Sequence, residues 1–116
     1  MITLKTLNKS TRQQVFDQVA KHLLEQNVRS ATQVTCRYHH GPLRCAAGCL
    51  IADDEYDRKI EMKTWRDLVE TNYAPKKHLK LIRELQEIHD DLVVKLWRDA
   101  LAELADKYRL KKSVLA

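Results

Sequence analysis

All three cysteines of the chain fall in one short run that also carries two adjacent histidines, "CRYHHGPLRCAAGC", from Cys36 to Cys49. Thiolates and imidazoles are the ligand types zinc prefers, and the run is short enough to wrap one ion. Cys36, His39 or His40, Cys45 and Cys49 are therefore a candidate Cys₃His set. The spacing departs from the strong signature, which has a two-residue gap within each ligand pair; Cys45 and Cys49 are separated by three residues. A second chemistry is a reactive thiol. Cys45 follows Arg44, and a neighbouring cation lowers a thiol pKa, while the histidines supply candidate bases. No glycine-rich oxyanion loop accompanies it. The third reading is packing: free cysteines commonly behave as small buried hydrophobes. Packing is the preferred reading, with a zinc site as the minority alternative and no cofactor otherwise.

Two further clusters carry charge that could do chemistry. His89-Asp90 follows Glu84 and Glu87, but Asp90 and Asp91 stand where one helix should stop and another start, so helix capping accounts for them. Lys76, Lys77, Lys80 and Arg83 lie in a stretch without an acid, and together with Arg37 and Arg44 they form a candidate nucleic-acid or anion-binding set. Lys80 with Glu84, and Arg83 with Glu87, also have the i,i+4 spacing of an ordinary solvated helix face. Phosphate-binding glycine loops, HExxH helices and nucleophile elbows do not occur in the sequence.

The elements that must position these residues are mostly helices. Ser10 with Gln13 resembles a capping box. Beyond it Val15, Phe16, Val19, Ala20, Leu23 and Leu24 recur at helical spacing to about Gln26. A small β-hairpin is expected next, Val34–Tyr38 against Leu43–Cys45, turning at His40-Gly41-Pro42. Arg44–Ile51 then reads as a short buried helix with Cys45 and Cys49 one turn apart. The acidic group Asp53, Asp54, Glu55 and Asp57 suits another helix start. Thr64 with Asp67 suggests a further one, turning Trp65, Leu68 and Val69 inward. Pro75 fits the first turn of a longer helix through Leu79, Leu81, Ile82, Leu85 and Ile88. A last helix carries Val93, Val94, Trp97, Ala100, Leu101, Leu104 and Tyr108, folding back on the one before it. The expected fold is mainly α, a compact bundle of about four to five helices with a small β-hairpin inserted after the first.

Composition agrees. At 116 residues there is room for one domain, 1–116, containing the hairpin and cysteine segment at about 33–52 and a basic tail at about 107–116. With 44% hydrophobic and 32% charged residues, a core and a soluble surface are both available, and only two glycines and two prolines punctuate the chain. No run approaches the roughly 18 apolar residues of a membrane span, and the N-terminus lacks an apolar leader segment. An odd number of cysteines fits a reducing compartment, so a cytoplasmic location is expected. The net charge of +5 permits an acidic partner.

Two segments read together, "CRY…GPLRCAAGCLIADDEY" from Cys36 to Tyr56 and "LIRELQEIHDDL" from Leu81 to Leu92, are followed by a last helix with Trp97 and Tyr108. This pattern resembles small uncharacterised proteins encoded by bacteriophages and prophages. In their turn an arginine and glycines stand near the positions of His39 and His40 here, so the resemblance weakens the zinc reading and implies that the two-cysteine segment is mainly a fold signature. It further implies a non-enzymatic accessory protein that works in the host cytoplasm by stoichiometric binding, to a host or defence protein, as an inhibitor or modulator. The alternative is a nucleic-acid or anionic-nucleotide binder using Lys76, Lys77, Lys80, Arg83, Arg37 and Arg44, with a structural zinc as an added possibility. Oligomeric state is not legible.

Overall fold

Four α-helices and one two-stranded hairpin, joined by short 3₁₀ turns, make up the protein in a computed structural model that describes residues 1–116. Helix α1 spans Arg12–Gln26, α2 Trp65–Glu70, α3 Leu79–Asp91 and α4 Trp97–Lys107; strands β1 (His39–His40) and β2 (Leu43–Arg44) lie between α1 and α2. No helix is long and apolar enough to cross a membrane.

Each helix buries most of the stripe its sequence carries, with Leu24, Val69, Leu79, Ala100 and Tyr108 only partly buried at the core's edge. Val15, Phe16, Val19, Ala20 and Leu23 of α1 meet Leu81, Ile82, Leu85 and Ile88 of α3 and Trp97, Leu101, Leu104 and Ala105 of α4 in one core. Trp65 and Leu68 of α2 join it, as do Cys45, Ala46, Ala47 and Leu50. The molecule measures 35 × 34 × 21 Å. Truncating one of the fully buried leucines, such as Leu23 or Leu85, would cost about 2–5 kcal/mol.

The start of α1 lies one residue beyond the expected box. Thr11 is the cap, its hydroxyl accepting from Gln14 N while the Gln14 side chain accepts from Thr11 N. Ser10 is instead buried, and its carbonyl is bonded to His78 Nε2 at 2.7 Å. Thr64 and Asp67 do form the reciprocal box that opens α2. Pro75 is not in the first turn of α3: His78, at φ 65°, interrupts the chain in the left-handed region, and the helix begins only at Leu79. Val93 and Val94 belong to a cap and a 3₁₀ turn, so α4 starts at Trp97.

The hairpin is shorter and later than its β-branched residues suggest. Only His39↔Arg44 and His40↔Leu43 pair, around Gly41 at φ 59° followed by Pro42. A positive φ and then proline's fixed negative one is the sign pattern of a type II′ turn. Residues 30–37 close a loop of their own. Arg37 N donates to Ser30 O, Ser30 Oγ to Arg37 O, and Ala31 and Cys36 form an isolated bridge. At its tip Thr32 Oγ1 accepts from the backbone of Val34 and Thr35, the local side-chain bonding that competes with strand pairing. Val34 is left 91% exposed.

After β2 the chain makes one helical turn, with Cys49 N donating to Cys45 O, and tightens into a 3₁₀ turn at Gly48–Leu50. Gly48 is required there, since an added Cβ would lie 2.1 Å from the carbonyl oxygen of Tyr38. The C-terminal segment docks on α1 through buried Leu115 and through Gln13, which exchanges hydrogen bonds with the Lys111 backbone.

Candidate docking cleft

The residue types singled out for chemistry are largely occupied in holding the fold. His39 places Nε2 between the carbonyls of Gly48 and Ile51, at 3.0 and 3.1 Å, and stacks on Tyr56 with ring centroids 4.3 Å apart. His22 Nε2 bonds Arg44 O at 2.9 Å. Burial lowers the pKa of both imidazoles, against the opposing effect of these carbonyl contacts. Burial also raises the thiols: Cys45 well above its ordinary value and Cys49 to about 12. Cys49 Sγ donates to Ala46 O, and Cys45 Sγ accepts from Gly48 N. His40 is exposed on the hairpin.

The proposed Cys₃His ligand set is therefore not what the structure assembles. Cys36 instead meets His89 and Asp90, with ligand atoms within 4.8 Å of one another. That trio does not fit a metal as it is bonded. Ser30 N donates to His89 Nε2 at 3.0 Å, so Nε2 is the acceptor nitrogen and Nδ1 carries the hydrogen that Asp90 Oδ1 accepts at 2.7 Å. A metal would need one of those two positions. Burial, then the charge of Asp90 and a hydrogen bond to it, push the Cys36 thiol up to about 11, away from nucleophilic use. The trio is a pin between loop 30–37 and α3. Asp90, expected to cap a helix, sits inside α3 and also accepts from Gln86 Nε2 at 2.7 Å.

Loop 30–37 and the turn before α2 stand over the outer edge of α3 and enclose a cleft of about 810 Å³. Glu61 ties the two walls together. Its carboxylate, with a side chain only 8% exposed, accepts from Tyr38 N at 2.9 Å, His39 N at 3.2 Å and Tyr56 Oη at 2.7 Å; Arg37 Nε lies 3.7 Å away. Glu61 begins a turn closed by Lys63 N donating to Ile60 O, with Glu61 at φ −63°, ψ 151° and Met62 at φ 69°. These are type II angles, and the second central position normally holds glycine. A methionine there costs local strain of order 1–2 kcal/mol. Its side chain is 81% exposed on one lip, as Val34 is on the other.

Of the six basic candidates, the cleft brings together Arg37 and Arg83 only. Arg44 is committed to Asp53 at 2.9 Å and to the carbonyls of Gly41 and Leu43. Lys77 Nζ reaches Asn8 O, Lys76 lines a smaller hollow by Leu4 and Tyr73, and Lys80 stands exposed on α3. The expected i,i+4 pairs do not form: Glu84 is taken by Lys107 and Tyr108, and Arg83 has no ion pair. Sequence reasoning missed Arg29, Lys63 and Met62 as cleft residues. Arg29 and Lys63 carry no local pattern. The only signal for Met62 was a turn lacking its usual glycine. Comparison of the chain with family models, curated proteins and solved structures returns no match.

Proposed function

We propose that the protein acts by stoichiometric binding of another protein, without catalysis, and that the cleft is its docking site. The observation that carries this reading is the position of Val34 and Met62. Two of the most exposed large hydrophobic side chains stand on the two lips of one cleft, and Met62 does so at a strained φ. Exposed apolar side chains at the mouth of a polar cleft suit a protein surface that supplies both apolar and polar contacts.

The charges support the same reading. Arg29, Arg37, Lys63, Arg66 and Arg83 line the cleft beside Glu61, Glu87, Asp90 and Asp91. A polypeptide can complement both signs, whereas a phosphate backbone, uniform in charge, would meet four carboxylates. This disfavours the nucleic-acid alternative at the cleft, and Lys76, Lys77 and Arg44 lie apart from it. The resemblance to phage and prophage proteins makes a host or defence protein the partner to try first.

The test is capture from host lysate by immobilised protein, with Val34→Ser and Met62→Gly as comparison variants. Met62→Gly suits the turn better than methionine and removes the lip. A saturable partner retained by the wild type, lost with both variants and insensitive to added nuclease is the expected result. Recovery of mixed nucleic acid, or a partner that both variants hold equally well, would refute the reading.

A further inference from the structure

Resting on the docking reading, we propose that the cleft takes a carboxylate side chain of the partner polypeptide, anchored by Arg37 and flanked by Lys63 and Arg83. The inward acids of the cleft are already occupied. Glu61 accepts from two backbone amides and Tyr56, and Asp90 accepts from Gln86 and His89. The donors are not. Arg29 Nε, Arg37 Nε and Trp65 Nε1 are buried without an acceptor, and all three residues line this cleft. Buried unpartnered donors are rare and call for an explanation. Arg29, Lys63 and Arg83 also form no ion pair, while Arg66 is held by Glu70.

What the cleft lacks is an acceptor at hydrogen-bond distance from these donors, and a guanidinium fork matches a carboxylate with two parallel hydrogen bonds. The surroundings select the source. Glu87 and Asp91, exposed and unpaired on α3, repel a polyanion but suit a basic residue beside the acidic one. Val34 and Met62 suit an aliphatic neighbour. The recognised segment is thus an acidic residue flanked by aliphatic ones on a protein partner.

The two tryptophans provide the readout. Trp97 Nε1 already donates to Leu92 O at 3.1 Å, whereas the Trp65 indole has no partner. In ¹⁵N-labelled protein titrated with acetyl-Leu-Glu-Leu-amide, the Trp65 indole resonance should move saturably and that of Trp97 should stay. The peptide with Gln in place of Glu should bind about tenfold more weakly or worse, as should Arg37→Gln with the Glu peptide, because a charge-assisted hydrogen bond is lost. Lys63→Gln, whose exposed side chain makes no hydrogen bond in the fold, gives a second variant that leaves folding intact and should weaken the same binding.

A Trp65 resonance that stays fixed at millimolar peptide overturns the proposal. So does an equal response to the Glu and Gln peptides, or a stronger one to inorganic phosphate or single-stranded oligothymidylate. A captured protein that depends on Val34 and Met62 but binds Arg37→Gln and Lys63→Gln unchanged would remove the carboxylate and leave the docking reading standing. A captured protein independent of all four residues would remove both.

Discussion

Replacing Glu61 separates a wall-tying carboxylate from an incidental surface acid. In Glu61→Ala, Tyr38 N and His39 N, on residues only 7% and 8% exposed, lose their acceptor. Tyr56, half-buried, can turn its hydroxyl to water. Each stranded amide costs about 1–3 kcal/mol, so the alanine variant should lose about 2–6 kcal/mol. Glu61→Gln keeps one carboxyl-type oxygen. Placed at the Oε1 position it serves Tyr38 N and faces an NH₂ toward His39 N; placed at Oε2 it serves His39 and Tyr56 and strands Tyr38 N. One amide is unsatisfied either way, which predicts a loss of about 1–3 kcal/mol. Against a total stability of about 5–15 kcal/mol these differences are large. Urea unfolding at neutral pH measures them, and thermal unfolding should show Tm falling by roughly 4 °C per kcal/mol. Alanine and glutamine variants within about 0.5 kcal/mol of wild type would refute the reasoning, because that is the range of changes at featureless surface positions.

Other perturbations reach the rest of the account. Gly48→Ala should unfold the cysteine corner or lower stability by several kcal/mol, since the new Cβ meets backbone, 2.1 Å from Tyr38 O, and not a mobile side chain; a variant with wild-type unfolding in urea would contradict this. His22 and His39 have pKa values lowered by burial, so their contribution is whole above the ordinary value near 6.5 and is lost as pH falls through the folded values. The urea midpoint should therefore drop between about pH 7.5 and 5.5, and drop less in His39→Gln; a midpoint constant across that range refutes it. With its thiol raised from 9.0 to about 11, Cys36 should alkylate at pH 8 roughly a hundredfold more slowly than an unperturbed cysteine. Modification at the rate of a free thiol would show that Cys36 is not held buried against Asp90.

The helices were legible because their signal is periodic and redundant. Several apolar residues repeat the message in α1, α3 and α4, and the Thr64–Asp67 box states the start of α2 in two side chains. The shift from Ser10 to Thr11 shows where redundancy ends: two adjacent hydroxyls each have a glutamine three residues on, and only the burial of Ser10 against His78 decides between them. The hairpin moved for a related reason. Val34, Thr35 and Tyr38 have the composition of a strand, but Thr32 bonds the local backbone and closes a loop before strand pairing can extend. The cleft was least legible. Cys36 finds His89 and Asp90 more than fifty positions away, Glu61 finds Tyr38 and His39 from 23 and 22 positions away, beyond the hairpin and three 3₁₀ turns, and no spacing rule announces either. The histidines adjacent to the cysteines drew attention as ligands. The structure uses one of them, His39, to bind carbonyls and leaves the other in solvent.

Hydrogen–deuterium exchange of the protein, free and bound to its captured partner, tests the docking claim most directly. Docking in the cleft should add protection across residues 30–38 and 60–66 and on the α3 residues from Arg83 to Asp91, with the His40–Leu43 turn and the Lys76–Lys80 segment unchanged. Protection centred on Lys76–Lys80 or on the hairpin, with the cleft segments exchanging as in the free protein, would contradict it.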